Sequence, residues 1–147
     1  MTFLMLYLLY NKWLIKKKGG TTMFIEIDTA SSEPIYTQLM KELKKGIVKG
    51  EIKKDDLLPS VRSLAGDLGV NMHTVNKAYN LLVDEEILIK SQRGYRVDTS
   101  DKIPDDLEDL LKERLEELLV DIYIHDVPVE QVKNWTQDIS KKLKREW

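Results

Sequence analysis

Two short helical patterns joined by one tight turn place the strongest constraint on the fold of this chain. The segment from Pro59 to Leu82 reads PSVRSLAGDLGVNMHTVNKAYNLL. Ser60 is a favourable N-cap for the first helix, because its hydroxyl can accept a hydrogen bond from an unpaired first-turn N–H. Gly69 suits the left-handed position just past the end of that helix, and Asn71 can cap the second helix. Two compact helices connected in this way are typical of a helix-turn-helix.

Apolar spacing predicts that each helix of this segment buries one face, because apolar residues recur every three to four positions. The predicted buried stripes are Val61, Leu64, Ala65 and Leu68 in the first helix, and Val75, Ala78, Tyr79 and Leu82 in the second. The second helix opens with residues that lie off its stripe, namely Met72, His73, Thr74, Asn76 and Lys77. These side chains are poor material for a core, and we expect them to face outward.

A helix before this segment and a hairpin after it predict a winged helix. Residues Phe24–Asp28 alternate apolar and charged side chains, which is a weak strand pattern. Pro34 suits the first position of the preceding helix and Gly50 its end. The apolar face of that helix consists of Ile35, Tyr36, Leu39, Met40, Leu43 and Ile47. In ILIKSQRGYRV, two β-prone runs flank a turn that contains Gly94, and this pattern predicts a β-hairpin.

The last third of the chain predicts two amphipathic helices. They are separated by Asp126–Pro128, and their apolar faces repeat every three to four residues. Two helices alone bury too little apolar surface to be stable, so they must pack against the winged helix, against a second copy of the chain, or both. We expect dimerisation through Leu107, Leu111, Leu115, Leu118, Ile122, Val132, Trp135 and Ile139. An intramolecular helical hairpin is the alternative.

The predicted fold class is therefore mainly α with a small β-hairpin wing. We expect an N-terminal winged helix-turn-helix at residues 23–98 and a short two-helix dimerisation tail at residues 99–147. Residues 1–22 stand apart. Their apolar run is shorter than the roughly 20 residues of a membrane span.

The end of this first segment resembles a translated ribosome-binding site. KKKGG requires purine-rich codons, and Met23 follows two codons later. We expect the native chain to begin at Met23. The alternative is that residues 1–22 form a genuine disordered or amphipathic tail, or one that touches a membrane.

Composition argues against an enzyme and against a bound metal or cofactor. The chain has no cysteine, and its two histidines, His73 and His125, lie in no metal-ligand spacing. No glycine-rich phosphate loop and no nucleophile–base pair is recognisable. Residues 33–97 carry 11 Lys and Arg against 9 Asp and Glu, whereas residues 98–147 carry 8 against 14. A mildly basic middle and an acidic tail are consistent with a polyanion-binding module joined to a second part. Since nothing in the composition suggests secretion, we expect a protein of the cytoplasm.

The residues off the buried stripe of the second helix carry groups that can read DNA. In a helix-turn-helix, the second helix enters the major groove with its N-terminal residues on base edges. His73, Thr74 and Asn76 offer hydrogen-bonding groups. Met72 can make apolar contact, and Lys77 can reach a phosphate. Alternative interpretations exist: His73 as a solvated surface residue, Thr74 as a capping or helix-surface residue, and Met72 as a gap-filling apolar residue. A winged helix can also serve protein–protein or non-specific nucleic-acid binding.

Four segments between Pro34 and Val97 occur in an order that resembles the winged-helix domain of GntR-family bacterial transcription regulators. They are PIYTQL, LPSVRSLA, LGVN and TVNKAYNLL. The short helical tail resembles the YtrA subfamily, whose members are dimeric regulators, often of transporter operons. The resemblance implies DNA contacts at Ser60, Arg62, Asn71, Met72, His73, Thr74, Asn76, Lys77, Arg93, Gly94 and Tyr95.

The chain departs from the family pattern at three places. Glu86 stands where the family usually has glycine, the wing is one residue short, and Tyr95-Arg96 replaces a small residue followed by an aromatic one. The resemblance implies a homodimer on a two-fold symmetric duplex operator, with the second helices in successive major grooves about 34 Å apart. Binding near a promoter would repress transcription. Neither a cofactor nor a membrane partner is expected, and the sequence identifies no effector.

Overall fold

The computed structural model of the chain describes residues 12–16, 22–98 and 104–145. The chain divides into two compact units, residues 1–99 and 100–147. The elements of the first unit are β1 (Lys12–Lys16), β2 (Thr22–Glu26), α1 (Ile35–Val48), α2 (Val61–Leu68), α3 (Met72–Asp84), β3 (Leu88–Ser91) and β4 (Gly94–Val97). Those of the second unit are α4 (Asp105–Ile124) and α5 (Val129–Arg145). The predicted fold class, mainly helical with a two-stranded wing, is confirmed.

Helix α1 begins one residue later than the sequence predicts. Pro34 has φ −54° and ψ 141°, so it is the N-cap and not the first helical residue. Its carbonyl accepts hydrogen bonds from the N–H groups of Thr37 and Gln38, at 3.0 and 3.2 Å. The proline ring fixes only φ, and here the extended ψ keeps the residue outside the helix.

The core of the first unit is built from the predicted stripes of α1, α2 and α3. Leu39 and Leu43 of α1 are buried, and its other apolar positions pack against the core. All four stripe residues of α3 are fully buried. Strand β2 starts two residues before the predicted run, and its alternation places Met23, Ile25 and the following Ile27 in the same core. Each large apolar side chain buried in this way contributes about 1.5–3 kcal/mol.

Gln38 is a buried polar residue that joins the segment after β2 to α1, and the sequence did not predict this role. Its amide oxygen accepts from the N–H of Asp28 at 2.8 Å. Its amide nitrogen donates to the carbonyls of Asp28 and Glu33, at 3.0 and 2.8 Å. Because both ends of the amide are satisfied, Gln38 can lie in the interior without a large desolvation cost.

The helix-turn-helix has the predicted caps. The Ser60 hydroxyl accepts from the N–H of Ser63 at 3.1 Å, and the Asn71 side-chain oxygen accepts from the N–H of His73 at 2.8 Å. Gly69 lies in the left-handed region at φ 65°, where its N–H is bonded to carbonyls of the last turn of α2. These local bonds allow two helices to follow one another with only three residues between them.

The wing is an antiparallel hairpin with a third segment added beside it. Leu88 pairs with Val97 and Ser91 with Gly94, which leaves a two-residue turn at Gln92 and Arg93. The loop before α2 bonds to the other side of β4, through Asp55 N–H to Val97 O at 3.0 Å and Leu58 N–H to Tyr95 O at 2.8 Å. The wing is therefore attached to the entry of the helix-turn-helix.

Strand β1 pairs antiparallel with β2, from Lys12 opposite Glu26 to Lys16 opposite Thr22. Among the described residues of the first 22, Lys12–Lys16 and Thr22 therefore lie in strands. Residues 1–11 and 17–21 of that predicted segment lie outside the described residues. The start of the native chain at Met23 stays a prediction. None of the helices in the described ranges combines the length and apolar character that a membrane crossing requires.

The second unit consists of the two predicted helices. Pro104 is the N-cap of α4, and Asp126, with φ 54°, lies in the break between α4 and α5. The predicted dimer residues are distributed over both helices. Leu107, Ile122 and Val132 are half-buried, and Leu111, Leu115, Leu118, Trp135 and Ile139 are exposed.

Candidate nucleic-acid interface

Helix α3 has one buried face and one exposed polar face. Val75, Ala78, Tyr79 and Leu82 are fully buried. The remaining surface carries exposed His73, Asn76 and Lys77, with Met72 half exposed at 50% and Thr74 half-buried. The residues of α3 that were predicted to contact DNA thus lie on one accessible surface at the start of the helix. A surface of hydrogen-bonding groups on a helix that projects from a compact core suits the major groove.

Asn71 lies at the first turn of this surface, and its side chain has a structural use. Its oxygen satisfies the N–H of His73, and its backbone carbonyl accepts from Thr74 N–H at 3.0 Å. The predicted capping role is therefore present. Ser60 is likewise exposed and uses its hydroxyl as an acceptor at the start of α2.

Arg62 projects from the first turn of α2. Its side chain is exposed, and its guanidinium makes no hydrogen bond or ion pair with any residue in the described ranges. An unpaired guanidinium keeps all five of its N–H donors for an external acceptor such as a phosphate or a guanine edge.

The position of the α2 start is set by Tyr79, which lies in the core of α3. Its hydroxyl donates to the carbonyl of Pro59 at 2.9 Å, directly before the Ser60 cap. Burial raises the pKa of the Tyr79 hydroxyl, and the neighbouring Tyr95 adds to the shift. The hydroxyl therefore remains a protonated donor, and α2 and α3 are joined at the point from which Arg62 projects.

Lys77 is held by an aromatic ring. Its ammonium nitrogen lies 3.9 Å from the centroid of the Tyr36 ring, within the range of a cation–π contact. Tyr36 is half-buried and packs against the core from α1. The contact orders a flexible side chain while Lys77 remains exposed. Its charge can still reach a phosphate at the edge of the groove.

The wing tip presents one unpaired cation. Arg93 is exposed in the two-residue turn, and its guanidinium has no partner in the part of the chain that the structure describes. The Ser91 hydroxyl closes the turn, since it accepts from Arg93 N–H at 3.3 Å and donates to the Gly94 carbonyl at 3.0 Å. Gly94 has φ 118°, which side chains rarely adopt.

An open hollow of about 510 Å³ adjoins the wing tip. It is lined by Asp55, Leu57, Ser91, Gln92, Arg93 and Arg96. Arg96 is not free, because its guanidinium pairs with the Asp55 carboxylate at 2.9 Å. The lining of the hollow thus includes a paired carboxylate and guanidinium, and Arg93 is the lining cation that remains unpaired within the described residues.

The Tyr95 side chain lies off the wing surface, and the DNA contact predicted at this residue stays a prediction. The residue is 7% exposed, and its ring centroid lies 4.8 Å from that of Tyr79. Its hydroxyl points at α3, 2.9 Å from the side-chain oxygen of Asn80 and 3.4 Å from that of Asn76. The physical reason is that β4 alternates, and the position after Gly94 faces inward.

Asn80 is the residue at this surface that sequence reasoning missed. It is exposed and follows Asn76 by four residues, so it lies one turn further along the same face of α3. That spacing was visible in the sequence. Its contact with Tyr95 was not, because it joins residues 15 positions apart.

The winged helix-turn-helix and the hydrogen-bonding side chains on the exposed face of α3 are typical of a winged-helix DNA-binding protein. Comparison with known protein families supports this class. The model of the bacterial regulatory proteins of the gntR family matches residues 35–97. The chain is 36% identical to the HTH-type transcriptional repressor YtrA of Bacillus subtilis over 124 residues, which cover 82% of this chain and 95% of that protein. The chain belongs to the GntR family.

Solved structures extend the likeness beyond the winged helix. YtrA from Sulfolobus acidocaldarius, a GntR-family transcription factor, is 36% identical, with a TM-score of 0.57 over 80% of this chain and 97% of its own. A transcriptional antiterminator from Listeria monocytogenes is 28% identical, with a TM-score of 0.72 over 80% of this chain and 90% of its own. The predictions of a transcription regulator with a DNA-binding domain, and of a protein that is not an enzyme, are confirmed by family membership.

Proposed function

We propose that the protein is a homodimeric transcriptional repressor of the cytoplasm that binds a two-fold symmetric duplex operator. The observation that carries this proposal is the exposed face of α3, where His73, Asn76 and Lys77 project from a helix whose other side is fully buried. Repression is inferred from the name of the Bacillus subtilis relative. The control of a transporter operon is inferred from the resemblance to its subfamily.

Each side chain has a role that its chemistry supports. His73, Thr74 and Asn76 read base edges, and Met72 makes apolar contact with a thymine methyl. Lys77 and Arg93 bind phosphates on either side of the reading surface, and Arg62 binds a phosphate or a guanine. Ser60, Asn71 and Gly94 fix the backbone that holds these groups.

The homodimer is supported by the apolar surface of the second unit. Leu111, Leu115 and Leu118 of α4 are about half exposed, as are Trp135 and Ile139 of α5. Helices that expose so many large apolar side chains to water gain stability when a second surface covers them. A second copy of the same chain is the partner that also places a second α3 on a symmetric operator, since two-fold dimers present the same surface from both protomers.

The test is selection of bound duplexes from a random library, at low and at high salt, together with the molar mass of the protein by light scattering. We expect a mass of two chains and one enriched two-fold symmetric site. Thr74→Ala should keep the site but relax the preference at one position in each half.

The other outcomes are informative. Salt-sensitive binding without any enriched sequence would indicate non-specific nucleic-acid association. A dimer that binds no duplex at all would favour a protein partner. A monomer that selects a single half-site would remove the role proposed for the tail.

A further inference from the structure

The ammonium of Lys77 lies over the ring of Tyr36, which belongs to a different helix. The nitrogen is 3.9 Å from the ring centroid, well inside the roughly 6 Å range of a cation–π contact. Tyr36 is half-buried in the first turn of α1 and packs against the core, so its ring is held in place. Lys77 is exposed and forms no ion pair with any residue in the described ranges. Within that part of the chain, the Tyr36 ring is therefore the group that orders the Lys77 charge.

We propose that Tyr36 is a positioning residue that orders Lys77 for its contact with an operator phosphate. This inference rests on the proposed function, because it assumes that Lys77 reaches the backbone of duplex DNA. A lysine carries its charge on a flexible four-carbon stem, and it loses conformational entropy whenever that charge is fixed. The ring imposes this order in the folded protein before DNA binds, so less entropy is lost on binding.

The ring leaves the ammonium free to donate hydrogen bonds. An ammonium has three N–H groups, and a ring engages only the side of the ammonium that faces it. The N–H groups on the opposite side remain available, because Lys77 is exposed. A carboxylate partner would neutralise the charge, as Glu85 does for Lys44 of α1, whereas an aromatic ring leaves the net charge intact. A phosphate oxygen, which is both acceptor and anion, fits such an ordered and uncompensated cation.

The experiment compares operator affinity and its salt dependence in single and double variants at Tyr36 and Lys77. Tyr36→Leu removes the ring but keeps an apolar side chain, and it should weaken binding about three- to tenfold, because the ammonium in each half-site must then be ordered on binding. Tyr36→Phe keeps the ring and should bind like the native protein. Lys77→Gln should lower the salt slope by about one unit per half-site. In that background Tyr36→Leu should cause no further loss, because its effect passes through the ammonium.

Proton spectra of the free protein test the geometry without DNA. Protons above an aromatic ring are shielded, so the CH₂ resonances next to the Lys77 ammonium should lie upfield of their usual position. The shift should persist in Tyr36→Phe and disappear in Tyr36→Leu. Lys112 of α4, which is paired with Glu108, is the control and should give the same resonances in every variant. If Tyr36→Leu loses helix content by circular dichroism, Tyr36→Met replaces it, because methionine adapts to an irregular space in a core.

Equal losses from Tyr36→Leu in the native and Lys77→Gln backgrounds would overturn the proposal, since the tyrosine would then act only through the fold of α1. A loss in Tyr36→Phe as large as that in Tyr36→Leu would overturn it too, as would native affinity in Lys77→Gln. In each case the proposed function stands if the native protein still selects its operator. If the native protein binds no duplex while the Lys77 resonances are shielded, the proposed function has failed, and the role of Tyr36 falls with it.

Discussion

The hydroxyl of Tyr79 and the carbonyl of Pro59 form a hydrogen bond of 2.9 Å that joins the middle of α3 to the residue before the α2 N-cap. The bond connects the core to the reading surface. Tyr79 is fully buried, Pro59 precedes the Ser60 cap, and Arg62 projects from the first turn that this cap begins. The Tyr79 side chain thus fixes the start of α2, which carries the unpaired guanidinium of Arg62, relative to α3, the helix proposed to read bases.

Tyr79→Phe should lower the free energy of unfolding by about 1 kcal/mol, because the ring remains in the core while one hydrogen bond is lost. Urea denaturation followed by circular dichroism measures this. Tyr123→Phe is the matched control and should change stability little, since its side chain is exposed. Equal effects of the two changes would mean that the Pro59 bond contributes nothing.

Stability should fall at high pH because of the same hydroxyl. Burial raises the pKa of Tyr79, whereas a tyrosine in the unfolded chain ionises near pH 10. Above about pH 10 the unfolded state therefore binds fewer protons than the folded state, and the free energy of unfolding decreases as the pH rises. Urea titrations from about pH 8 to about pH 11 cover the range in which an unfolded tyrosine ionises. Over this range the free energy of unfolding should decrease less for Tyr79→Phe than for the native protein.

Arg62→Ala should weaken operator binding by roughly 1–3 kcal/mol, because it removes a guanidinium that is unpaired in the free protein and would bind a phosphate or a guanine of the operator. Fluorescence anisotropy on the selected duplex measures the change. Arg114→Ala removes the same charge from the exposed surface of α4 and serves as the control. A comparable loss in both variants would indicate general electrostatic attraction and no specific contact at Arg62.

Glu86→Gly should raise the free energy of unfolding by about 1 kcal/mol. Glu86 joins α3 to β3 at φ 58°, a left-handed conformation that costs a residue with a side chain about 1–2 kcal/mol. Part of this gain is lost to the greater entropy of glycine in the unfolded chain. Asp84→Gly, in the last turn of α3, should have the opposite sign because glycine weakens a helix. Thermal unfolding of the two variants distinguishes them.

Leu115→Asp should convert the protein to monomers and weaken operator binding by about a hundredfold or more, because a charge in an apolar interface loses its hydration. Leu115 is 54% exposed in the single chain, so the substitution should leave the helix content unchanged. Sedimentation and circular dichroism check both statements. Glu117→Gln, an exposed change on the same helix, should remain dimeric. A dimeric Leu115→Asp protein would show that α4 is not the interface.

Local sequence was sufficient for much of the first unit. The caps at Ser60 and Asn71, the left-handed turn at Gly69 and the buried stripe of α3 involve groups within a few residues of one another, so periodicity and capping chemistry predict them. Glu86 was noted only as a departure from the family pattern, and the structure shows its φ of 58°, a conformation that favours glycine.

Tertiary structure decided the contacts between distant parts of the chain. Gln38 bonds to Asp28 ten residues away, and Tyr95 contacts Asn76 and Asn80 across 19 and 15 residues. The resemblance named Tyr95 among the DNA contacts, but a short hairpin pattern does not reveal which strand face meets α3. That choice depends on how the wing packs against the helices, and the packing is determined by the whole core at once. The sequence by itself thus determined the helix-turn-helix and the face it exposes, whereas only the folded unit determined which side chains orient that face.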